Sequence, residues 1–157
     1  MPRKGKFRFL RIGRLFRRRR NHICEESFRK AIMERAERVL AKELSFLDNT
    51  ITIDYLARAV GTNRTYLSQS VRIERGLTFC EYINNFRIEY AKVYMQGGQM
   101  KRDTRVVKEG EIISTEELAI ISGFGSKRNF VRQFRRMEGV TPVQYYKRLR
   151  SGMAMSE

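Results

Sequence analysis

The sequence holds only two cysteines, Cys24 and Cys80, one histidine, His22, and no tryptophan. Two thiols cannot build a disulfide framework, and with one imidazole they make no zinc site of ordinary ligand spacing, so free thiols in a reducing compartment are expected. No metal and no cofactor is expected. Catalytic motifs are missing too: there is no GxxxxGK phosphate loop and no Gly-x-Ser-x-Gly elbow, and His22 lies in a basic stretch unsuited to holding a general base. The chain is therefore expected not to be an enzyme. No apolar run approaches the ~20 residues that cross a bilayer, and the N-terminus has no signal-peptide core, which predicts a soluble, unexported, cytoplasmic chain. Acidic residues are scarce, with 17 Asp and Glu against 33 Lys and Arg and a formal charge of +16. Such an excess points to a polyanionic partner, either nucleic acid or an anionic membrane face.

The charge is unevenly placed. Ten basic and no acidic residues fall in the first twenty positions, which leaves the remainder at +6. The chain thus divides into a basic arm, residues 1–24, expected to be disordered, and a moderately basic body. Phe28, Ile32, Ala36, Val39, Leu40 and Leu47 recur at three- and four-residue steps, which predicts a helix from about Glu25 to Leu47 lidding the first half of the core. An internal repeat follows. Leu56-Ala57-Arg58-Ala59-Val60-Gly61 is echoed by Leu118-Ala119-Ile120-Ile121-Ser122-Gly123, and Gly76-Leu77-Thr78 with Glu81-Tyr82 by Gly139-Val140-Thr141 with Gln144-Tyr145. The body is therefore two copies of one supersecondary unit. Thr78-x-x-Glu81, Ser114-x-x-Glu117 and Thr141-x-x-Gln144 fit the capping box, with Pro142 at the favoured first helical position. Residues 97–113 show no sustained period and are expected to form a long loop.

In each copy a short helix, about Ile53 to Val60 and Thr115 to Ser122, meets a glycine and then a second helix, Arg64 to Arg75 and Lys127 to Glu138. Ala57 and Ala119, four residues before Gly61 and Gly123, let two helices cross closely, as a helix-turn-helix requires. Leu67 and Val71, and Phe130 and Phe134, lie one turn apart and should face the core. That leaves Thr65, Ser68, Gln69 and Arg72 on one helix, and Lys127, Arg128, Val131, Arg132 and Arg135 on the other, facing out.

From about Ile51 to Arg148 the sequence resembles the DNA-binding domain of the AraC/XylS family of transcription regulators. Gly123-Phe124-Gly125-Ser126, Asn129-Phe130, Arg132, Phe134-Arg135-Arg136, Gly139-Val140-Thr141-Pro142 and Tyr145 carry the resemblance most specifically. Gly61-Thr62-Asn63-Arg64-Thr65-Tyr66-Leu67-Ser68 and Phe86-Arg87-Ile88-Glu89-Tyr90-Ala91-Lys92 extend it, especially toward the branch of membrane-bound or tetratricopeptide-bearing regulators. The resemblance implies an all-α fold of about seven helices: a first helix-turn-helix subdomain with a long connector helix, 25–96, a second subdomain, 114–150, and a tail, 151–157. Both recognition helices would enter successive major-groove segments of double-stranded DNA. The implied DNA-binding residues are Arg64, Thr65, Ser68, Gln69 and Arg72, and Lys127, Arg128, Arg132 and Arg135. Arg132 has the geometry to grip a guanine edge and Gln69 an adenine. A regulator also implies contact with the transcription machinery. The connector is expected to orient the second subdomain through Phe86, Tyr90, Val93 and Tyr94.

Three uses of the arm stand open: phosphate contact, contact with an anionic membrane through Arg17, Arg18, Arg19 and Arg20, and service as the cytosolic flank of a transmembrane helix outside this chain. The alternative for the whole chain is an interaction or membrane-surface module that keeps the fold without specific DNA reading. Ser70-Val71, in place of the bulkier apolar pair usual in the family, and the basic arm favour that alternative.

Overall fold

The computed structural model describes the backbone of residues 9–97 and 114–153 and the side chains of residues 25–97 and 114–152. The expected loop beyond Gly97, the first eight residues, the end of the tail, and the side chains of Arg17–Arg20, His22 and Cys24 lie outside the described residues. Seven α-helices are present among the described residues: α1 (Phe9–Glu43), α2 (Ile53–Ala59), α3 (Arg64–Arg75), α4 (Phe79–Met95), α5 (Thr115–Ile121), α6 (Lys127–Glu138) and α7 (Pro142–Met153). A single 3-10 turn, Ser45–Leu47, joins α1 to α2 and is called the junction turn below. No described helix is long and apolar enough to cross a membrane.

The first helix departs from the expectation at both ends. It reaches back to Phe9, through much of the arm expected to be disordered, because arginine is a good helix former and Gly13 costs only about 1 kcal/mol against alanine. It stops at Glu43 rather than Leu47, because Leu44 takes a left-handed conformation, φ 50°, and turns the chain into the junction turn. The remaining helices begin where their caps direct. Thr52, Asn63, Thr78, Ser114 and Ser126 each accept a hydrogen bond from the backbone N–H three residues on. The capping box of α4 is complete, with Glu81 reaching back to Thr78. Thr141 and Gln144 bond reciprocally in the same way at the start of α7, where Pro142 is fully buried.

Two apolar cores result. Ile32, Met33, Ala36 and Leu40 of α1 cover Leu56, Ala57, Leu67 and Val71 of the first helix-turn-helix, and Tyr82, Ile83 and Tyr90 of α4 close that core. Ile88, Ala91, Tyr94 and Met95 of α4 then cover Leu118, Ala119, Phe124, Phe130 and Phe134 of the second. The connector thus does for the second unit what α1 does for the first. Of the four residues expected to orient the second unit, only Tyr94 does so. Phe86 and Tyr90 turn to the first core, where both rings meet Phe46, and Val93 is exposed, because successive turns of α4 carry the two apolar faces roughly opposite one another. Across the helix surfaces Lys92 pairs with Glu138 at 3.0 Å, and Arg136 pairs with Glu81.

Phe134 is fully buried between Phe130 and Tyr145, at ring distances of 5.6 and 5.4 Å. Phe134→Ala is expected to cost about 3–5 kcal/mol in urea unfolding. Hydrogen bonds from the Thr78 backbone and side chain, and then from Arg136, hold the Glu81 carboxyl down at about 2, from an ordinary 4.5. A lowered carboxylate pKa stabilises the fold above the unfolded value and loses that contribution as pH falls through the folded one. The thermal midpoint should therefore drop between pH 4.5 and about 2, and Glu81→Gln, which keeps an acceptor as Gln144 does, should flatten that drop in circular dichroism melts.

Candidate nucleic-acid interface

Both copies of the helix-turn-helix are built by the same backbone device. Gly61 and Gly123 take φ of 72° and 79°, which a side-chain-bearing residue adopts rarely. The following residue then bonds back across the turn: the Thr62 N–H donates to the Ala57 carbonyl at 2.9 Å and the Phe124 N–H to the Ala119 carbonyl at 2.8 Å. Gly61 and Gly123 themselves donate to Arg58 and Ile120, completing the Schellman motif in each copy. Ala57 and Ala119 are buried, as close helix crossing requires. Two short helices of seven residues and two long ones of twelve follow from one repeated sequence.

The turn fixes which face of the long helix is free. Leu67, Ser70 and Val71 of α3 point inward, with the Ser70 hydroxyl donating to the Tyr66 carbonyl at 2.8 Å, so the small Ser70 is accommodated without an orphaned polar group. Arg64, Thr65, Ser68, Gln69 and Arg72 are all exposed on the opposite face. On α6, Phe130 and Phe134 point inward while Lys127, Arg128, Arg132 and Arg135 are exposed. Val131, expected among the outward residues, is half-buried and packs against the second core. It forms the floor of an open depression along α6 whose rim is Lys127, Arg128, Arg132, Arg135 and Arg136.

Charge on these faces is partly neutralised within the protein. Arg64 pairs with Asp54 at 3.1 Å and Lys127 pairs with Glu116, whose carboxyl its ammonium holds below the usual range. Arg136 pairs with Glu81 and Arg75 with Glu37. Arg132 donates to the Asn129 side-chain oxygen at 3.0 Å, a neutral contact that leaves its charge uncompensated while holding it on the helix surface. Arg72, Arg128 and Arg135 are absent from the ion pairs that α3 and α6 make with described residues. Free positive charge is therefore concentrated on α6, whereas α3 offers mainly hydroxyl and amide groups. Arg136 is not among the residues that the sequence singles out for DNA; it follows Arg135 around the helix, and only the contact with α4 separates its role from that of its neighbour.

No group of His, Cys, Asp and Glu side chains among the described residues could hold a metal ion, and Cys80 is a free, exposed thiol. The first turn of α3 also meets α1, where Tyr66 packs edge-on against Phe28 with ring centres 5.7 Å apart.

Residues 56–148 match the family described as a helix-turn-helix domain. The uncharacterized HTH-type transcriptional regulator YtdP of Bacillus subtilis is 28% identical over 104 residues, which are 66% of this chain and 12% of that regulator. The chain therefore spans a small part of that relative's length. Among solved structures, the C-terminal domain of the response regulator yesN from Fusobacterium nucleatum superposes with a TM-score of 0.54 at 24% identity, covering 73% of this chain and 96% of that one. The DNA-binding domain of AdpA, solved in complex with a target DNA, gives 0.56 at 21% identity, covering 74% and 94%. An AraC-type regulator from Chromobacterium violaceum gives 0.59 at 17% identity, covering 76% and 93%. At these identities the superpositions speak for the fold. The matched span exceeds half the chain and coincides with the duplicated turns, and the chain belongs to this helix-turn-helix family, the AraC-type one.

Proposed function

We propose that α3 and α6 are recognition helices that read two successive major-groove segments of one double-stranded DNA site. The observation that carries this reading is the equivalence of the two exposed faces. The same turn, closed by the same pair of hydrogen bonds, presents the same side of a twelve-residue helix in each copy. The connector supports it: seventeen residues at about 1.5 Å each span roughly 26 Å, comparable with the ~34 Å between equivalent grooves one turn apart. In this reading Arg132 grips a guanine edge and Gln69 an adenine, while Thr65, Ser68, Lys127 and Arg128 read or brace neighbouring bases, and Arg64, Arg72 and Arg135 contact phosphates. Work of this kind belongs in the cytoplasm.

Phosphate contact is the use of the basic arm that the fold favours. The Phe28–Tyr66 contact sets α1 beside the first turn of α3, and the helix continues from there toward its basic N-terminal part. Membrane contact through Arg17–Arg20 has no such support.

Arg132→Ala should cost about 1–3 kcal/mol on a site selected from random duplex and relax preference at one position, with Gln69→Ala costing less. Arg136→Ala, whose charge is already paired, should cost less than either. Wild-type affinity in both Arg132→Ala and Gln69→Ala would overturn the assignment. Deleting residues 1–20 should weaken binding to selected and random duplex about equally and make the salt dependence shallower, by about 0.9 in slope for each phosphate the arm no longer neutralises. An unchanged slope would remove the arm from the DNA.

A further inference from the structure

Arg87, on α4, is only 8% exposed, and the Asp48 carboxylate offsets only part of the cost of burying its charge. Burial lowers the pKa of its guanidinium from the ordinary value. Its Nε donates to the Phe46 carbonyl at 2.7 Å and its Nη2 to the Asp48 carbonyl at 2.9 Å. Both acceptors belong to the junction between α1 and α2, at the end of the 3-10 turn, where the regular ladder of N–H donors stops. The same guanidinium lies over the ring of Phe124, 5.6 Å from its centre. Phe124 is a core residue of the second helix-turn-helix, immediately after the glycine of its turn. One side chain therefore ties the connector helix to the junction of the first unit and to the turn of the second.

The backbone packs to match. A Cβ on Gly123 would lie 2.6 Å from the Leu47 carbonyl oxygen and 2.7 Å from its Cα, so the junction lies directly against the second turn. The equivalent glycine of the first copy, Gly61, has nothing nearer than the Arg35 side chain at 4.0 Å. The duplicated turns are alike in conformation and unlike in surroundings, and the difference is this contact.

We infer that Arg87 is a positioning residue for DNA reading: by clamping the α1–α2 junction between α4 and the Gly123–Phe124 turn, it fixes the orientation of α6 relative to α3. The inference rests on the two-segment reading proposed above. Two tethered readers gain from each other only when their geometry matches the site; a loosened clamp lowers the effective concentration of the second reader without touching either face. Lysine cannot replace the arginine here, since an ammonium lacks the planar fork that spans two carbonyls and stacks on a ring.

The test uses the full chain and a duplex selected from random DNA by the wild-type protein, together with duplexes in which either half is randomised and duplexes with one or two base pairs inserted between the halves. Arg87→Lys should lose about tenfold or more on the two-segment duplex, bind each single-segment duplex within about twofold of wild type, and tolerate the insertions better than wild type does. Gly123→Ala should show the same pattern with Arg87 intact, while Gly61→Ala, which carries the same backbone strain without the collision, should keep the wild-type spacing preference. Spin labels at Ile73 and Met137, with both native cysteines changed to serine, should give one narrow distance distribution in the free wild-type protein and a broader one in Arg87→Lys. Equal loss on every duplex with unchanged spacing preference, or a distance distribution as narrow as wild type, would overturn the clamp. If the wild type binds one-segment and two-segment duplexes equally, the two-segment reading fails instead, and the label distances decide the clamp separately.

Discussion

One helix buries apolar side chains for two cores at once. Along α4, Tyr82, Ile83, Phe86 and Tyr90 serve the first unit, and Ile88, Ala91, Tyr94 and Met95 serve the second. A helix that packs on both sides cannot rotate about its axis to improve one contact without spoiling the other, and close-packed interiors transmit that restriction as rigidity. The two helix-turn-helix units are consequently held through a shared element with little freedom of its own. The residues flanking this seam are polar, with Lys92 reaching Glu138 and Arg136 reaching Glu81, so the α4–α6 contact also has a preferred register along the helix.

The distribution of cations carries a second constraint. Both α3 and α6 are basic, yet several of their charges are committed to acidic residues of the same chain: Arg64 to Asp54, Arg75 to Glu37, Lys127 to Glu116 and Arg136 to Glu81. Exposed pairs of this kind add little stability. Their effect is on what remains available, since a cation already facing a carboxylate releases fewer counterions when it meets a phosphate. The uncompensated guanidiniums of α6 and the neutral donors of α3 give the two exposed faces different chemistry, one chiefly electrostatic and the other chiefly hydrogen-bonding.

Most of this architecture is legible in the sequence because its signals are local. The bounds of α3 and α6 follow from cap residues and from the repeat, and inward Leu67, Val71, Phe130 and Phe134 follow from a one-turn spacing. The rest is decided by tertiary contact. Leu44 ends α1 in a left-handed conformation with no glycine to announce it, and the arm's short apolar face, Phe9, Ile12 and Phe16, is interrupted by Gly13, which speaks against the helix that forms there. Phe86 and Tyr90 belong to the other core than the one expected, because periodicity says that a face is apolar without saying which neighbour covers it. Arg87 reads in the sequence as one more cation on a basic chain; its place in line with the buried Ile83 and Ala91, one turn away on either side, is the available sign that it is buried.

Duplication leaves two copies of a unit with the same tolerance to change, and the fold then removes that tolerance unequally. Gly61 is required only by its backbone angle, so asparagine, which enters the left-handed region more readily than other side-chain-bearing residues, is an accessible substitute there. Gly123 meets the same angle and, in addition, the backbone of Leu47, which no side chain can pass. Sequences of this type that drift over time should therefore vary at the first turn while the second stays glycine, so that the asymmetry between the repeats records how the two halves are docked.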